Sequence, residues 1–283
     1  MLLSEKINQS LAGRTAIFQL LPLSISELLD ADLLASNHFE QLYKGFYPRI
    51  YSQNLEPQDL YPDYVSTYVE RDVRQIKNIR DLSNFQRFLQ LIAGRAGQIL
   101  NMTEIGNDIG VNYKTVESWI SILEATYIVF RLEPYFKNYS KRVIKSPKIY
   151  FYDTGLLCYL LGLKSPTELQ AYFGLGNIFE NMIIADVKKQ LFNTRSISTL
   201  YFWRNSNKNE VDLIINNGNT RIPIEIKAGS TFNSNYLKGI KVWNSLQENR
   251  SESILIYTGQ EASISTTRFI NWHNISIISN MIS

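Results

Sequence analysis

The sequence predicts an α+β or α/β fold, in which helical segments are followed by a mixed sheet flanked by helices. Three features indicate this fold. Apolar residues recur at helical spacing in residues 24–80, a helix–turn–helix pattern follows, and the last part of the chain alternates apolar and polar residues between turn sequences. The 283 residues are enough for about two domains at roughly 100–200 residues each.

Charge and cysteine content narrow the class of protein. The formal net charge of +3 permits nucleic-acid binding only through local clusters of basic residues. Cys158 is the one cysteine, so a disulfide within the chain and a zinc site built from cysteines are excluded, and His38 and His273 are far apart in the sequence. No apolar run approaches the roughly 20 residues that span a bilayer, and the first residues do not resemble a secretory signal. We therefore expect a cytoplasmic protein that does not enter a membrane.

The first 80 residues divide into two predicted regions. Residues 1–28 contain a short helical piece (3–11) and a strand-like run (15–21) stopped by Pro22, which we interpret as the remaining end of a larger α/β unit. Residues 29–80 are predicted to form a helical linker region. Within it, residues 64–76 carry apolar residues at helical spacing, which favours a packed helix over a functional site.

Residues 81–165 have the pattern of a winged helix–turn–helix. Helices are predicted at about 84–94, 102–109 and 113–125, with Asn101 or Thr103 capping the second helix and Gly110 ending it. Strand-like runs at 128–132 and 143–152 follow, and a hairpin after a helix–turn–helix is a wing.

A winged helix–turn–helix offers a surface for DNA. Base edges are usually read near the start of the third helix, where Lys114 and Thr115 lie, and cations on a wing neutralise phosphates. The predicted wing carries Lys137, Lys141, Arg142, Lys145 and Lys148, with no acidic residue between Glu133 and Asp153. Winged helices also serve as protein–protein modules, and the same hairpin could contact an ATPase module instead.

Residues 166–283 are predicted to form a mixed sheet flanked by helices. A helix at 177–192 precedes strands at 200–204, 210–216 and 221–228, which are joined by turn sequences rich in asparagine. A helix at 236–247 and a strand at 253–257 complete the pattern.

Two of these strands carry an acidic pattern. Alternate residues of a strand share a face, so Asp212 and Glu210 point one way from the first strand, and Glu225 and Lys227 share a face of the next. A hairpin can bring Asp212 near Glu225, and two adjacent carboxylates repel unless a cation lies between them. Oxygen ligands suit Mg²⁺ or Mn²⁺, and Lys227 could stabilise phosphate charge. The alternative is a half-exposed strand on which these charges are merely solvated.

Glu180 extends this pattern. It lies on the helix at 177–192, where Ile183, Ile184 and Val187 continue the same stripe, and a carboxylate within an apolar stripe is unusual. Its ordinary explanation is an acid in the first helical turn. We predict that Glu180, Asp212 and Glu225 converge on one divalent metal ion with Lys227 beside it, and that Glu210 is a weaker candidate.

Short motifs along the chain resemble those of a widespread prokaryotic family that joins an N-terminal AAA-type ATPase module to a C-terminal domain of unknown function. The motifs lie at residues 11–14, 21–24, 68–73, 148–156, 179–181, 201–204, 209–212 and 223–227. The C-terminal domain of that family resembles restriction-endonuclease-like PD-(D/E)XK nucleases. The resemblance therefore implies a restriction-endonuclease-like domain in residues 166–283, with Glu180, Asp212, Glu225 and Lys227 as its site.

The chain departs from this family at the ATPase module. No Gly-x-x-x-x-Gly-Lys-Ser/Thr sequence is present, so the chain resembles a truncated member and we expect it not to bind ATP. Three functions follow: a DNA-associated regulatory protein with a nuclease-like domain, an active Mg²⁺- or Mn²⁺-dependent endonuclease, or a non-functional ATPase remnant. A separate ATPase chain or a second copy of this chain are the expected protein partners.

Overall fold

The computed structural model describes residues 19–69, 82–135, 146–247 and 251–282. The helix predicted at 3–11 and the first part of the strand predicted at 15–21 lie outside these residues. Residues 19–21 are described and are not in a strand. Within the described residues, no helix is both long enough and apolar enough to cross a bilayer.

The first described region is helical, as predicted. Ser24 and Glu27 form a capping box at its first helix, because each side chain satisfies the other residue's backbone N–H. The helix predicted at 64–76 is described only to residue 69, where a π-helical turn, Val65–Val69, continues the preceding helix. The helices are α1 (Ile25–Asp30), α2 (His38–Lys44), α3 (Pro48–Ser52) and α4 (Pro57–Tyr64).

Three helices and a strand pair form the next region. They are α5 (Leu82–Gly94), α6 (Met102–Ile109), α7 (Tyr113–Ala125), β1 (Val129–Pro134) and β2 (Lys148–Phe151). Asn101 and Asn112 cap α6 and α7, and Gly110 ends α6 with a φ of 76°, where glycine is favoured. The predicted ends of α6 and α7 are confirmed, and β1 and β2 pair antiparallel. The assignment of this region as a winged helix remains a prediction.

The remaining elements are three consecutive helices followed by two groups of three strands, each group followed by a helix. They are α8 (Thr154–Leu160), α9 (Pro166–Ala171), α10 (Leu175–Thr194), β3 (Thr199–Arg204), β4 (Glu210–Asn217), β5 (Thr220–Ile226), α11 (Lys238–Ser245), β6 (Ser253–Tyr257), β7 (Ala262–Ile264), β8 (Thr267–Asn271) and α12 (Ser279–Ile282). Short 3-10 helices, Ser234–Leu237 and Trp272–Ile278, precede α11 and α12. The sequence did not predict β7, β8 or the turns that follow them.

The eight strands of the described residues belong to one mixed sheet, in the order β2-β1-β3-β4-β5-β6-β8-β7. β1 runs parallel to β3, with Glu133 opposite Tyr201, and β6 runs parallel to both β5 and β8. The predicted wing strands are therefore continuous with the C-terminal sheet, across the boundary predicted at residue 165. Because of this continuity, β2 can contribute side chains to a site on the C-terminal strands.

Buried polar contacts hold the N-terminal helices on α10 and α8. Asp186 accepts a hydrogen bond from the backbone N–H of Ile25 (2.6 Å), and the Lys189 ammonium donates to the carbonyl of Leu23 (2.9 Å). Asp153 caps α8 through Leu156 and also accepts from the N–H of Phe46 (2.5 Å). The motif at residues 148–156 therefore has a packing role at its Asp153 end.

The two histidines are distant in sequence but close enough in the fold for their charges to interact. Burial lowers the pKa of His38, and repulsion from His273 lowers it further; burial also lowers the pKa of His273. The histidines therefore resist protonation in the folded chain more than in the unfolded chain, whose histidine pKa is about 6.5.

We expect this pair to weaken the fold as pH falls below about 6.5, because the unfolded chain then binds protons first. The loss levels off once pH passes the folded pKa values. Replacing both histidines (His38→Gln with His273→Gln) should remove this component, which is at most about 1 kcal/mol because both side chains keep solvent contact. Urea unfolding at pH 5 and pH 7.5 measures it. An equal pH response in the two proteins would contradict the pair's contribution.

Candidate functional site

The predicted acidic residues lie where β4 and β5 separate. The two strands pair from Asn217 opposite Thr220 to Leu213 opposite Ile224, and Asp212 and Glu225 are the next residues of β4 and β5. Beyond this point the carboxylate of Asp212 accepts a hydrogen bond from the N–H of Ile226 (2.8 Å). The Asp212 side chain thus accepts the Ile226 N–H in place of a backbone carbonyl of β4, and this hydrogen bond fixes the carboxylate between the two strands.

Lys227 lies beside both carboxylates. Its ammonium is 2.6 Å from Glu225 Oε1 and 3.3 Å from Asp212 Oδ2, and it also donates to the carbonyl of Ile226. Burial lowers the pKa of Lys227, but the charges of Asp212 and Glu225 outweigh burial and raise it above its usual value. The structure therefore brings Asp212, Glu225 and Lys227 together.

One oxygen of Glu225 has no partner among the described residues. Glu225 is only 8% exposed, and its Oε2 is buried without a hydrogen bond. Burial, followed by repulsion from Asp212, raises the pKa of Glu225 to about 8, although Lys227 acts in the opposite direction. A buried, unpaired carboxylate oxygen is costly unless something compensates it, so this oxygen marks a place where a cation would be favourable.

Glu180 approaches the cluster from α10, but its direct partners are on β2. Its Oε1 accepts from the Lys148 ammonium (3.0 Å) and the Tyr150 hydroxyl (2.6 Å). Burial raises the pKa of Glu180, Lys148 lowers it, and Asp212 raises it again. The charge of Asp212 therefore raises the pKa of Glu180, although the hydrogen-bond partners of Glu180 are residues of β2.

The predicted position of Lys148 is wrong. We expected it on an exposed basic wing, but it is only 3% exposed, and its ammonium is 2.5 Å from Glu210 Oε1 as well as bonded to Glu180. Glu210 also pairs with Arg204 (3.3 Å). Sequence reasoning missed Lys148 and Tyr150 as part of this cluster. The available signal was their alternation with Ile149 and Phe151 on a short strand, which puts both polar side chains on one face.

Asp212 and Glu225 form a pair of oxygen donors that fits a hard divalent cation. Asp212 and Glu225 offer carboxylate oxygens, one of them unpartnered, and such oxygens suit Mg²⁺ or Mn²⁺. Within the described part of the chain, however, no group of three or more histidine, cysteine, aspartate or glutamate side chains is arranged to hold a metal ion. The convergence of Glu180 with Asp212 and Glu225 on one ion remains a prediction.

The residues predicted to contact nucleic acid are only partly described. Lys114 is exposed in the first turn of α7, and Thr115 is half-buried, with its backbone N–H and hydroxyl both bonded to Asn112. Lys137, Lys141, Arg142 and Lys145 lie outside the described residues. The wing's role in binding therefore stays a prediction.

Two domain families match the chain. Residues 35–167 match a family described as Domain of unknown function (DUF8612), and residues 175–275 match one described as Domain of unknown function (DUF4143). The second is commonly found in proteins associated with AAA ATPases. The chain is thus similar to proteins without an assigned activity.

Curated relatives include uncharacterized proteins of Mycobacterium tuberculosis (strain ATCC 25618 / H37Rv) and Mycobacterium bovis (strain ATCC BAA-935 / AF2122/97). Each is 29% identical to this chain over 227 residues, covering 79% of this chain and 49% of the relative. The chain spans about half the length of these relatives. No solved structure matches the chain significantly.

Proposed function

We propose that this chain is a DNA-associated protein whose C-terminal domain carries a restriction-endonuclease-like site for one Mg²⁺ or Mn²⁺ ion. The observation that carries the proposal is the contact of the Lys227 ammonium with both Asp212 and Glu225, just beyond the last paired residues of β4 and β5, together with a buried, unpartnered oxygen on Glu225. The two carboxylates would hold the ion.

Such a site has the parts needed for phosphodiester hydrolysis. A divalent cation, when bound, polarises a phosphate oxygen and makes water more acidic. Asp212 is fixed by its hydrogen bond from Ile226, so its carboxylate needs little reorganisation to act as a ligand. The Lys227 ammonium is already beside both carboxylates and can stabilise the negative charge of a phosphate there. Hydrolysis of DNA is therefore the activity that this arrangement favours.

The proposed setting is an assembly with an ATPase. Support comes from the motifs that resemble those of AAA-type ATPase proteins. The second matched domain is also commonly found in proteins associated with AAA ATPases. In this proposal the chain does not bind ATP itself, and a separate ATPase chain or a second copy of this chain is its protein partner.

A Mn²⁺ titration of the purified chain tests the metal site. Binding to the folded state alone raises stability by about 2.7 kcal/mol when the ion reaches about 100 times its Kd. We expect the melting temperature to rise with Mn²⁺ or Mg²⁺ and supercoiled plasmid to be nicked when either ion is present. Stabilisation without nicking would leave a binding and regulatory protein. No stabilisation by millimolar Mn²⁺ would leave a salt-bridged scaffold, as expected of an ATPase remnant.

DNA binding through the helix–turn–helix region has its own test. The observations that favour it are the confirmed α6–turn–α7 arrangement and the exposed Lys114 at the start of α7. We expect the double variant Lys141→Ala with Arg142→Ala to weaken duplex binding and to flatten its salt dependence, because each lost phosphate contact lowers the slope by about 0.9. Fluorescence anisotropy at several salt concentrations measures both quantities.

A matched control keeps the same loss of charge elsewhere. Arg49 and Lys164 are exposed and distant from α7 in sequence, so replacing both with alanine should leave the salt slope unchanged. If the two double variants behave alike, or if the wild type binds no duplex at low salt, the region is a protein–protein module.

A further inference from the structure

The buried ammonium of Lys148 lies at the edge of the acidic site. It contacts Glu180 Oε1 and Glu210 Oε1 and lies 5.5 Å from the centre of the Phe202 ring. Burial lowers the pKa of Lys148, but Glu180, Tyr150, Glu210 and Asp212 raise it well above its usual value. Lys148 is therefore a buried ammonium group held between two carboxylates.

The carboxylates of the cluster divide between two lysines. Glu180 and Glu210 are held by Lys148, whereas Asp212 and Glu225 are held by Lys227. The two lysines differ in their access to solvent: the Lys227 side chain is 31% exposed, and that of Lys148 is only 4% exposed. Lys227 can turn toward solvent when an ion approaches its carboxylates. Lys148 has no such route, because its departure would leave two partly buried acids, Glu180 and Glu210, without their counter-ion.

We propose that Lys148 fills the position that a second metal ion would otherwise take, so that the site accepts one divalent cation, at Asp212 and Glu225. This inference rests on the proposed function, and it differs from the sequence prediction because it leaves Glu180 out of the set of metal ligands. Two-metal sites hold their ions about 3.5–4 Å apart on shared carboxylates, and both ions need free carboxylate oxygens. Glu180 Oε1 is already occupied by Lys148 and Tyr150, whereas the unpartnered oxygen is on Glu225.

Lys148 and the two carboxylates come from different matched domain families. It belongs to β2, which lies within the first matched domain family, whereas Asp212 and Glu225 lie within the second. Residues 175–275 alone therefore lack this fixed cation, and in the intact chain it is supplied by the region that contains the helix–turn–helix.

Counting bound Mn²⁺ tests the inference without relying on catalysis. Equilibrium dialysis of the full chain, with free Mn²⁺ followed by electron paramagnetic resonance, should give one ion per chain for the wild type. Lys148→Gln removes the charge but keeps a polar side chain, and we expect it to bind two ions, because Glu180 and Glu210 are then released. The double variant Lys148→Gln with Glu180→Gln keeps the net charge of the cluster. It should bind one ion with a Kd within about threefold of the wild type, a difference of less than 1 kcal/mol.

Each outcome decides something. One ion in Lys148→Gln, or two ions in the wild type, would overturn the role of Lys148 while leaving the metal site intact. No ion in the wild type would remove the proposed function itself. If Lys148→Gln does not fold, the double variant decides: a loss of affinity of about tenfold or more, or 1.4 kcal/mol, would make Glu180 a ligand of the resident ion and contradict the inference.

Discussion

Asp212→Asn is expected to abolish the stabilisation of the protein by Mn²⁺ while the metal-free protein stays folded. Asparagine has the same shape and keeps an oxygen that can accept the hydrogen bond from the N–H of Ile226. It removes one of the two charges that attract the ion, in a place that is only 6% exposed. The wild type should gain roughly 5 °C or more in melting temperature near saturation, and the variant close to none.

Glu252→Gln is the matched control for Asp212→Asn. Glu252 is exposed and immediately precedes β6, and its carboxylate pairs with Arg268 rather than with the cluster. It should keep the full Mn²⁺ response and any nicking of plasmid DNA, both of which Asp212→Asn should lose. A Mn²⁺ response that survives in Asp212→Asn would mean that the ion binds elsewhere.

Gly239→Ala should lower the free energy of unfolding. Gly239 lies in α11, where the helix meets the backbone of β4 so closely that a Cβ would overlap the carbonyl oxygen of Glu210. Overlap with backbone cannot be relieved by turning a side chain, so α11 must move away from the sheet. Overpacking of this kind costs about 1–3 kcal/mol, which urea unfolding measures. The same Cβ would lie 3.6 Å from Glu225 Oε2, so metal affinity should also fall.

Gly176→Ala separates this effect from the general consequence of adding a methyl group to a helix. Gly176 is also helical, in α10, but a Cβ there would have no neighbour within 4 Å. Alanine at that position should stabilise the protein by about 0.5–1 kcal/mol, because it favours the helix. If both variants were stabilised alike, α11 would not be packed against β4 as described.

Local signals account for the part of the fold that the sequence predicted. Asn101, Gly110 and Asn112 mark helix ends by their own hydrogen bonds and backbone angles, so the bounds of α6 and α7 could be found without tertiary information. The hairpin between β4 and β5 was equally visible, because its turn contains Gly218, which has a φ of 58°. The proximity of Asp212 and Glu225 follows from that hairpin.

The remainder depends on contacts between distant segments, which leave no local pattern. The parallel pairing of β1 with β3 places Glu133 opposite Tyr201. No turn sequence connects these two strands directly, so the sequence gives no local signal of their pairing. Lys148 follows a basic stretch and was therefore expected on the surface, since lysine is rarely buried unless paired. Its partners, Glu180 and Glu210, reach it only once the sheet has formed.

The parallel pairing of β1 with β3 also determines how the protein behaves when its chain is cut. A protease that cleaves between residues 167 and 175, where the two matched families meet, would break one covalent link but none of the backbone hydrogen bonds of this strand pair. The nicked halves should remain associated through gel filtration. Either half expressed alone would present an unpaired strand edge, and such edges recruit other chains into aggregates. Recombination at this boundary would therefore yield functional chimaeras only when both parents carry matching edges.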